Sequence, residues 1–167
     1  MTYKVIDDFL DKTDFYPLYD YLNADNTAWF YKGQGTVKDK PFDISWFSHT
    51  FYANQQPDVS SYHQLIPNIL TKLEAKSVMR VQANLVLKQD KAIKTGFHQD
   101  VPYAESKTAI LYINTNDGGT IVVDEKGNEK TIKSVENRIL IFPSNTDHAS
   151  ITQTNSEKRI VVNFNYF

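Results

Sequence analysis

The chain has 167 residues, of which 41% are hydrophobic, 23% are charged and 13% are aromatic, and its formal net charge is −2. This length is typical of one folded domain with a sizeable core, and the mixed charges give no basic block for nucleic acid or for an anionic membrane. The sequence contains no cysteine, which excludes a disulfide framework, a thiolate zinc site, an iron–sulfur cluster and a cysteine nucleophile.

Targeting and membrane signals are absent from the sequence pattern. The first residues are acidic and mixed, unlike a signal peptide. No apolar run approaches the ~18–20 residues that span a bilayer. We therefore expect a cytoplasmic protein that does not associate with membranes.

The N-terminal part of the chain carries helical patterns after a short predicted strand over 3–6. A first helix is predicted with Asp14 as its N-cap and Pro17 in its first turn. Its apolar residues recur at helical spacing and form one face: Phe15, Leu18, Tyr19 and Leu22. A second helix begins near Pro57, and Pro67 predicts a kink or restart, because proline inside a helix costs ~3 kcal/mol.

Residues 28–56 are rich in aromatic side chains, and their secondary structure is not evident from the pattern. Trp29 and Tyr31 precede Gly33 and Gly35. Aromatic residues beside glycines suit a loop that closes over a ligand. Aromatic side chains that cover the end of a hydrophobic core would give the same pattern, so both interpretations stay open.

From residue 78 onward, short β-patterns alternate with turn signals. Eight strands are predicted, at 78–88, 96–100, 108–114, 119–124, 129–134, 138–142, 149–154 and 159–167. This spacing is typical of a sandwich or barrel. Because the chain shows no internal repeat and no linker, we expect one domain over residues 1–167. Its helical part would cover 1–77 and its barrel core 78–167.

The last predicted strand has two unlike faces. Its mixed, partly polar face carries Arg159, Val161, Asn163 and Asn165. Its other face is wholly apolar and carries Ile160, Val162, Phe164 and Tyr166. We expect the apolar face to pack under the helices and the polar face to line a small hydrophilic cavity inside the barrel.

Four residues of this region form a possible metal and ligand site. His98 and Asp100 are two residues apart, so on an extended backbone their side chains share one side. His148 follows His98 by 50 residues, and Arg159 follows His148 by 11. Two neutral imidazoles and a carboxylate can occupy one face of an iron octahedron and leave three positions open. An inward Arg159 would match the second carboxylate of a 2-oxo acid such as 2-oxoglutarate, which is costly to bury unpaired.

Each of these signals also has an ordinary explanation. His98 could be a surface loop residue and His148 a turn histidine. Arg159 could form a surface ion pair with Asp147 or Glu157. The combination of all four residues with a β-barrel pattern is more specific than any one of them.

Six segments carry a further pattern: Gly96-Phe97-His98-Gln99-Asp100, 109–114, 117–120, 137–142, Asp147-His148 and 158–167. In these segments the chain resembles the 2-oxoglutarate- and Fe(II)-dependent oxygenases, specifically their prolyl 4-hydroxylase-like branch with small bacterial and phage members. The resemblance covers residues 78–167. It implies a mostly β (α+β) fold, a double-stranded β-helix of the jelly-roll or cupin-like kind, buttressed by the N-terminal helices.

The resemblance also implies roles for single residues. It implies iron ligands at His98, Asp100 and His148. It implies that Arg159 and the Tyr112 hydroxyl bind the far carboxylate of 2-oxoglutarate.

Further contacts are predicted around these residues. Asn163 lies four residues from Arg159 on the same face, so we predict that it meets the cosubstrate or an iron-bound water. Asn84 is predicted as a polar contact on a strand where related oxygenases often carry a tyrosine. The predicted substrate contacts are Gln99, Val101, Trp29 and Tyr31.

The implied reaction is hydroxylation of a C–H bond coupled to oxidative decarboxylation of 2-oxoglutarate, with release of succinate and CO2. The implied cofactors are Fe(II), 2-oxoglutarate and O2, with ascorbate as a candidate reductant. By analogy the partner is a peptide whose proline is hydroxylated. The alternatives are the same chemistry on a free amino acid, a nucleobase or another small metabolite, and a non-catalytic cupin-like binding module.

Overall fold

The structure, a computed structural model, describes residues 3–33, 44–103 and 105–167. Within these residues the chain forms three helices: α1 (Lys12–Asn23), α2 (Tyr62–Leu65) and α3 (Pro67–Lys72). It also forms eleven strands: β1 (Lys4–Ile6), β2 (Phe30–Lys32), β3 (Trp46–Ala53), β4 (Gln56–Pro57), β5 (Val78–Leu87), β6 (Lys107–Tyr112), β7 (Gly119–Val123), β8 (Glu129–Lys133), β9 (Ile139–Pro143), β10 (His148–Ile151) and β11 (Lys158–Tyr166). None of the described helices is long and apolar enough to cross a lipid bilayer.

The strands form two antiparallel sheets. The larger, eight-stranded sheet has the order β1-β9-β6-β11-β5-β3-β2, with β4 paired to β3. The smaller sheet has three strands in the order β10-β7-β8. Strand β11 lies in the middle of the larger sheet, between β5 and β6. Its side chains therefore project from the centre of both faces of this sheet.

The larger sheet is covered on both faces, and β11 shows how. Ile160 and Phe164 belong to one hydrophobic cluster with Phe15 and Leu18 of α1. Val161, on the other face, belongs to a second cluster. That second cluster joins the two sheets through residues of β6, β7 and β9: Ile110, Tyr112, Val122, Leu140 and Phe142. The apolar face of β11 therefore packs under the helices, as its alternation predicted.

The prolines mark helix boundaries only in part. Helix α1 begins at Lys12 after Asp11, so Asp14 is a residue of the first turn and not the predicted N-cap. Pro17 is consequently an interior residue, where its ring removes one backbone hydrogen bond. The restart predicted at Pro67 is confirmed. Helix α2 ends at Leu65 and α3 begins at Pro67, a position that needs no N–H donor.

One predicted strand is absent from the structure, and the strands between residues 30 and 57 were not predicted. Residues 96–100 form no strand, and among them only His98 makes a β-bridge. Strand β3 was not predicted, although Phe47 and Phe51 alternate with Ser48 and Thr50. In the structure Phe47 and Phe51 pack toward the helices. The aromatic side chains around β3 therefore cover the core, whereas Gln34 and Gly35 of the predicted closing loop lie outside the described residues.

Gly119 begins β7 at a point where a side chain has no room. A Cβ atom on Gly119 would clash with the backbone carbonyl oxygen of Ile132 on β8. We expect Gly119→Ala to lower the free energy of unfolding by about 1–3 kcal/mol, because the two strands must separate. Urea denaturation measures this change. Gly33→Ala is the control, since the nearest described atoms to its Cβ belong to the flexible, exposed ring of Tyr31. Equal loss of stability in both variants would contradict the close approach.

Candidate metal centre

Backbone pairing brings His98 and His148 together. The amide of each residue donates a hydrogen bond to the carbonyl oxygen of the other, both at 3.0 Å. Residues that are directly opposite in an antiparallel pair project their side chains to the same face. The two imidazole rings accordingly lie with their centroids 4.2 Å apart.

Asp100 completes a cluster of three possible metal ligands. Its Oδ1 atom lies 3.7 Å from Nε2 of His98 and 3.7 Å from Nε2 of His148. The three ligand atoms all lie within 4.8 Å of one another. The predicted ligand residues therefore converge on one point, even though residues 96–100 are not a strand.

The second nitrogen of each imidazole is directed away from this point. Nδ1 of His148 lies 3.0 Å from the carbonyl oxygen of Thr146, and Nδ1 of His98 lies 3.5 Å from that of Gly96. Because a carbonyl oxygen can only accept, each Nδ1 carries the proton. The lone pair of each Nε2 is then free for a metal ion.

The second oxygen of Asp100 is also engaged. Oδ2 accepts hydrogen bonds from Nδ2 of Asn165 and from Oγ1 of Thr108, both at 3.0 Å. Among the described residues, Oδ1 receives no such bond. Its other charged neighbour is Nη2 of Arg80, at 3.8 Å. This arrangement leaves one carboxylate oxygen to act as a single metal ligand.

The protonation states fit metal binding. Burial lowers the pKa of His98, and the neighbouring His148 lowers it further, so the His98 ring is neutral at neutral pH. Burial alone would raise the pKa of Asp100. Arg80, the Asn165 hydrogen bond and the His148 imidazole, whenever that ring is protonated, outweigh that effect and hold the pKa of Asp100 below its usual value. A divalent cation needs a neutral imidazole and an ionised carboxylate.

Arg159 is a buried cation surrounded by neutral hydrogen-bond acceptors. Its side chain is 3% exposed, and burial lowers the pKa of the guanidinium. Its hydrogen-bond acceptors are Ser134 Oγ at 2.9 Å, Ser150 Oγ at 3.1 Å, the Gly119 carbonyl oxygen at 3.2 Å and Thr120 Oγ1 at 3.4 Å. Within the described part of the chain, no carboxylate lies close enough to form an ion pair with it. Such a cation is suited to an anionic ligand.

Unpaired polar atoms lie on the same inner face. The Arg159 guanidinium lies 5.8 Å from the centroid of the Tyr112 ring. The Tyr112 hydroxyl is buried and makes no hydrogen bond of good geometry among the described residues, although the Thr120 side chain lies near it, and burial raises its pKa. Oδ1 of Asn163 is likewise buried and unpaired. Asn84 is half-buried and accepts a hydrogen bond from Gln82 at 2.8 Å. A cation with unpaired polar neighbours fits a chelating dicarboxylate such as 2-oxoglutarate.

The four predicted substrate contacts lie in different surroundings. Gln99 is exposed and donates a hydrogen bond to Asp147 at 2.9 Å, which ties the two ligand-bearing segments together. Val101 is half-buried directly after Asp100. Trp29 packs against the helix-side core, and the Tyr31 ring lies beside Phe47, which packs on that same core. Val101 is thus next to Asp100 along the chain, whereas Trp29 and Tyr31 lie on the helical side of the larger sheet.

Three polar residues around Asp100 had no predicted role. Thr108 and Asn165 hold the carboxylate, and Arg80 donates from Nε to Oδ1 of Asn165 at 3.0 Å. The signal for Asn165 was its place on the polar face of β11. The signal for Arg80 was its alternation with Gln82 and Asn84 along β5, which puts all three on one face.

Residues 83–167 match the profile of the 2OG-Fe(II) oxygenase superfamily. The chain is 26% identical to a PKHD-type hydroxylase from Prochlorococcus marinus (strain MIT 9312), over 84% of this chain and 67% of that protein. A 2OG-Fe(II) oxygenase family oxidoreductase from Burkholderia pseudomallei superposes with a TM-score of 0.73 at 14% identity, over 99% and 84% of the two chains. A prolyl-4-hydroxylase from Pseudomonas putida superposes with a TM-score of 0.62 at 13% identity, over 99% of this chain and 92% of that chain. The predicted double-stranded β-helix is confirmed.

Thr108→Val tests how the carboxylate is held. The substitution keeps the side-chain volume and removes the hydroxyl that bonds Oδ2 of Asp100. We expect the affinity for Mn(II) to fall by about tenfold, as is typical when an outer partner of a metal ligand is lost. Titration followed by electron paramagnetic resonance of free Mn(II) measures the change. Thr131→Val, on an exposed site of β8, is the control. Unchanged affinity in folded Thr108→Val would refute the role of this hydrogen bond.

Proposed function

The chain belongs to the 2OG-Fe(II) oxygenase superfamily, and on that premise we propose that His98, Asp100 and His148 are its iron ligands. The enzyme is an Fe(II)- and 2-oxoglutarate-dependent dioxygenase that hydroxylates its substrate. One observation carries the ligand assignment. Two Nε2 atoms and one carboxylate oxygen converge within 4.8 Å, while the remaining donor and acceptor atoms of the same side chains are engaged elsewhere.

We propose that Arg159 holds the far carboxylate of 2-oxoglutarate, with the Tyr112 hydroxyl as a second donor. Support comes from the buried guanidinium without an acidic partner among the described residues, and from the unpaired hydroxyl beside it. A carboxylate would pair the charge and the hydroxyl together. Asn163 is proposed to use its unpaired Oδ1 to accept from a bound water or from the cosubstrate.

The bound iron, 2-oxoglutarate and O2 together supply the oxidation that converts a C–H bond into C–OH, with succinate and CO2 as coproducts. The protein's own contribution is positional. Asn165 and Thr108 fix Oδ2 of Asp100, so that Oδ1 keeps one direction. The backbone carbonyls of Thr146 and Gly96 fix the imidazole tautomers.

For the substrate we propose a prolyl residue of a peptide, by analogy with the PKHD-type hydroxylase and the bacterial prolyl-4-hydroxylase. The alternative is the same chemistry on a free amino acid, a nucleobase or another small metabolite. A screen of succinate release over proline-containing peptides, free amino acids and oligonucleotides separates these classes. Running the screen with and without ascorbate tests the predicted reductant.

The ligand assignment predicts a spectroscopic result. Under anaerobic conditions, Fe(II) plus 2-oxoglutarate should give a weak visible charge-transfer band in the intact protein. His98→Ala and Asp100→Ala should each remove the band and succinate release, because each variant lacks one of three ligands. His63→Ala, at an exposed histidine of α2, is the matched control and should keep both. Normal iron retention in either ligand variant would refute its assignment.

The assignment of Arg159 predicts a different result. Arg159→Gln should raise the 2-oxoglutarate concentration needed for half-maximal band formation by about 10–100-fold, because a charge-assisted hydrogen bond contributes about 1.5–3 kcal/mol. Iron affinity without cosubstrate should be unchanged. Lys158→Gln, the adjacent residue of β11, is the control for the loss of one positive charge. Loss of iron instead of loss of 2-oxoglutarate affinity would contradict the proposed role.

A further inference from the structure

Arg80 belongs to a row of inward side chains beneath Asp100. It lies directly opposite Asn165 on β11, and Asn165 lies directly opposite Thr108 on β6. Residues opposite one another in a sheet share a face, so the three side chains form one line across three strands. The carboxylate of Asp100 accepts hydrogen bonds from two members of this line, Asn165 and Thr108.

Only one edge of the Arg80 guanidinium is engaged. Nε donates to Oδ1 of Asn165 at 3.0 Å. Nη2 is 3.8 Å from Oδ1 of Asp100, which is an ion-pair distance but too long for a hydrogen bond. In the described ranges the two Nη atoms have no hydrogen-bond partner. The Arg80 side chain is 40% exposed, whereas that of Asp100 is 5% exposed. The Arg80 side chain therefore reaches solvent beside the metal cluster, whereas that of Asp100 is enclosed.

When the charges of the site with iron and 2-oxoglutarate bound are summed, the positive charge of Arg80 is left unneutralised. Fe(II) and Asp100 together carry +1, and the proximal carboxylate of 2-oxoglutarate neutralises that charge. Its far carboxylate neutralises Arg159. Asp100, the ion-pair partner of Arg80 among the described residues, is then already matched by the metal. The loaded site keeps one positive charge, and that charge lies at its accessible side.

We propose that Arg80 binds a carboxylate group of the substrate, so that this enzyme oxidises an acid. The inference rests on the proposed function, because it assumes that Asp100 holds iron. The two free Nη groups match the two oxygens of a planar carboxylate, and the Asn165 bond fixes the orientation of the fork. Because Nη2 lies 3.8 Å from a ligand oxygen, the bound carboxylate would lie close in space to the oxidised carbon.

The wall next to Arg80 is also polar. Gln82 and Asn84 follow Arg80 on the same face of β5, and both are half-buried. Their side-chain amides are joined by a hydrogen bond of 2.8 Å. Thr50 of β3 lies opposite Gln82 and is half-buried as well. This wall offers donors and acceptors to the remainder of a polar substrate, such as an amino group or a peptide bond.

Binding can be measured without turnover in protein loaded with Mn(II) and saturating 2-oxoglutarate. The probe is N-acetylglycine, and its neutral counterpart is N-acetylglycinamide. We expect the bound Mn(II) to increase the transverse relaxation rate of the acid's methyl protons about tenfold more than that of the amide, because only the acid offers a charged acceptor to Arg80. Equal enhancement for acid and amide would overturn the proposal.

Variants assign the effect to Arg80. Arg80→Gln should abolish the preference for the acid, and Arg80→Lys should keep part of it because the charge remains. Lys107→Gln removes a positive charge from an exposed residue adjacent to Thr108 and should change nothing. Mn(II) affinity should stay within about threefold of the parent in Arg80→Gln, since the two Asp100 hydrogen bonds persist. A loss of Mn(II) affinity with the acid preference intact would overturn the inference and make Arg80 a positioning residue.

The outcomes also separate this inference from the proposed function. Failure to bind Mn(II), or binding that survives Asp100→Ala, would refute the metal site itself. Normal Mn(II) and 2-oxoglutarate binding without a preference for the acid would refute only the role of Arg80. Succinate release with L-proline against L-prolinamide, and with peptides that carry or lack an acidic residue beside proline, distinguishes a free acid from an acidic peptide. The member of each pair that lacks the tested carboxylate should be turned over about tenfold less efficiently.

Discussion

Two hydrogen bonds between the backbones of His98 and His148 determine the geometry of the whole site. They join a segment without regular structure to the first residue of β10, and they make the two side chains neighbours on one face. Gln99 and Asp147 form a second, outer link between the same segments. The positions of the two histidines therefore depend on backbone hydrogen bonds, which side-chain substitutions alter least. Asp100 follows His98 by two residues in the same segment.

The interior of the barrel holds two opposite charges that do not neutralise one another. Asp100 is surrounded by donors at one end of β11, and Arg159 by hydroxyl and carbonyl acceptors at the other. Burying each charge costs free energy that neutral hydrogen bonds offset only in part. Ligands that bring the complementary charges complete both environments. On the proposed assignment, binding of the metal ion and of 2-oxoglutarate would offset this cost.

The sequence predicted most of the barrel because its strands are either alternating or bounded by turn residues. It predicted the residues that converge as possible iron ligands from their residue types, their spacing and the family resemblance, although residues 96–100 do not form the predicted strand. It did not predict β3, whose buried aromatic face resembles a loop rich in Phe and Tyr. It also missed the roles of Thr108 and Arg80. A hydroxyl or guanidinium becomes a partner of Asp100 only through register across three strands, and register is set by tertiary packing rather than by local pattern.

The opposite faces of β5 have a consequence for how this chain can vary. Val81, Ala83 and Leu85 face the helices, and Arg80, Gln82 and Asn84 face the site. A one-residue insertion within β5 would exchange the two sets beyond the insertion point, burying polar groups in the helical core and placing aliphatic groups beside the metal. One such insertion would then disrupt both the hydrophobic core and the site. We therefore expect a change of length to be tolerated better in the connections between strands than within β5.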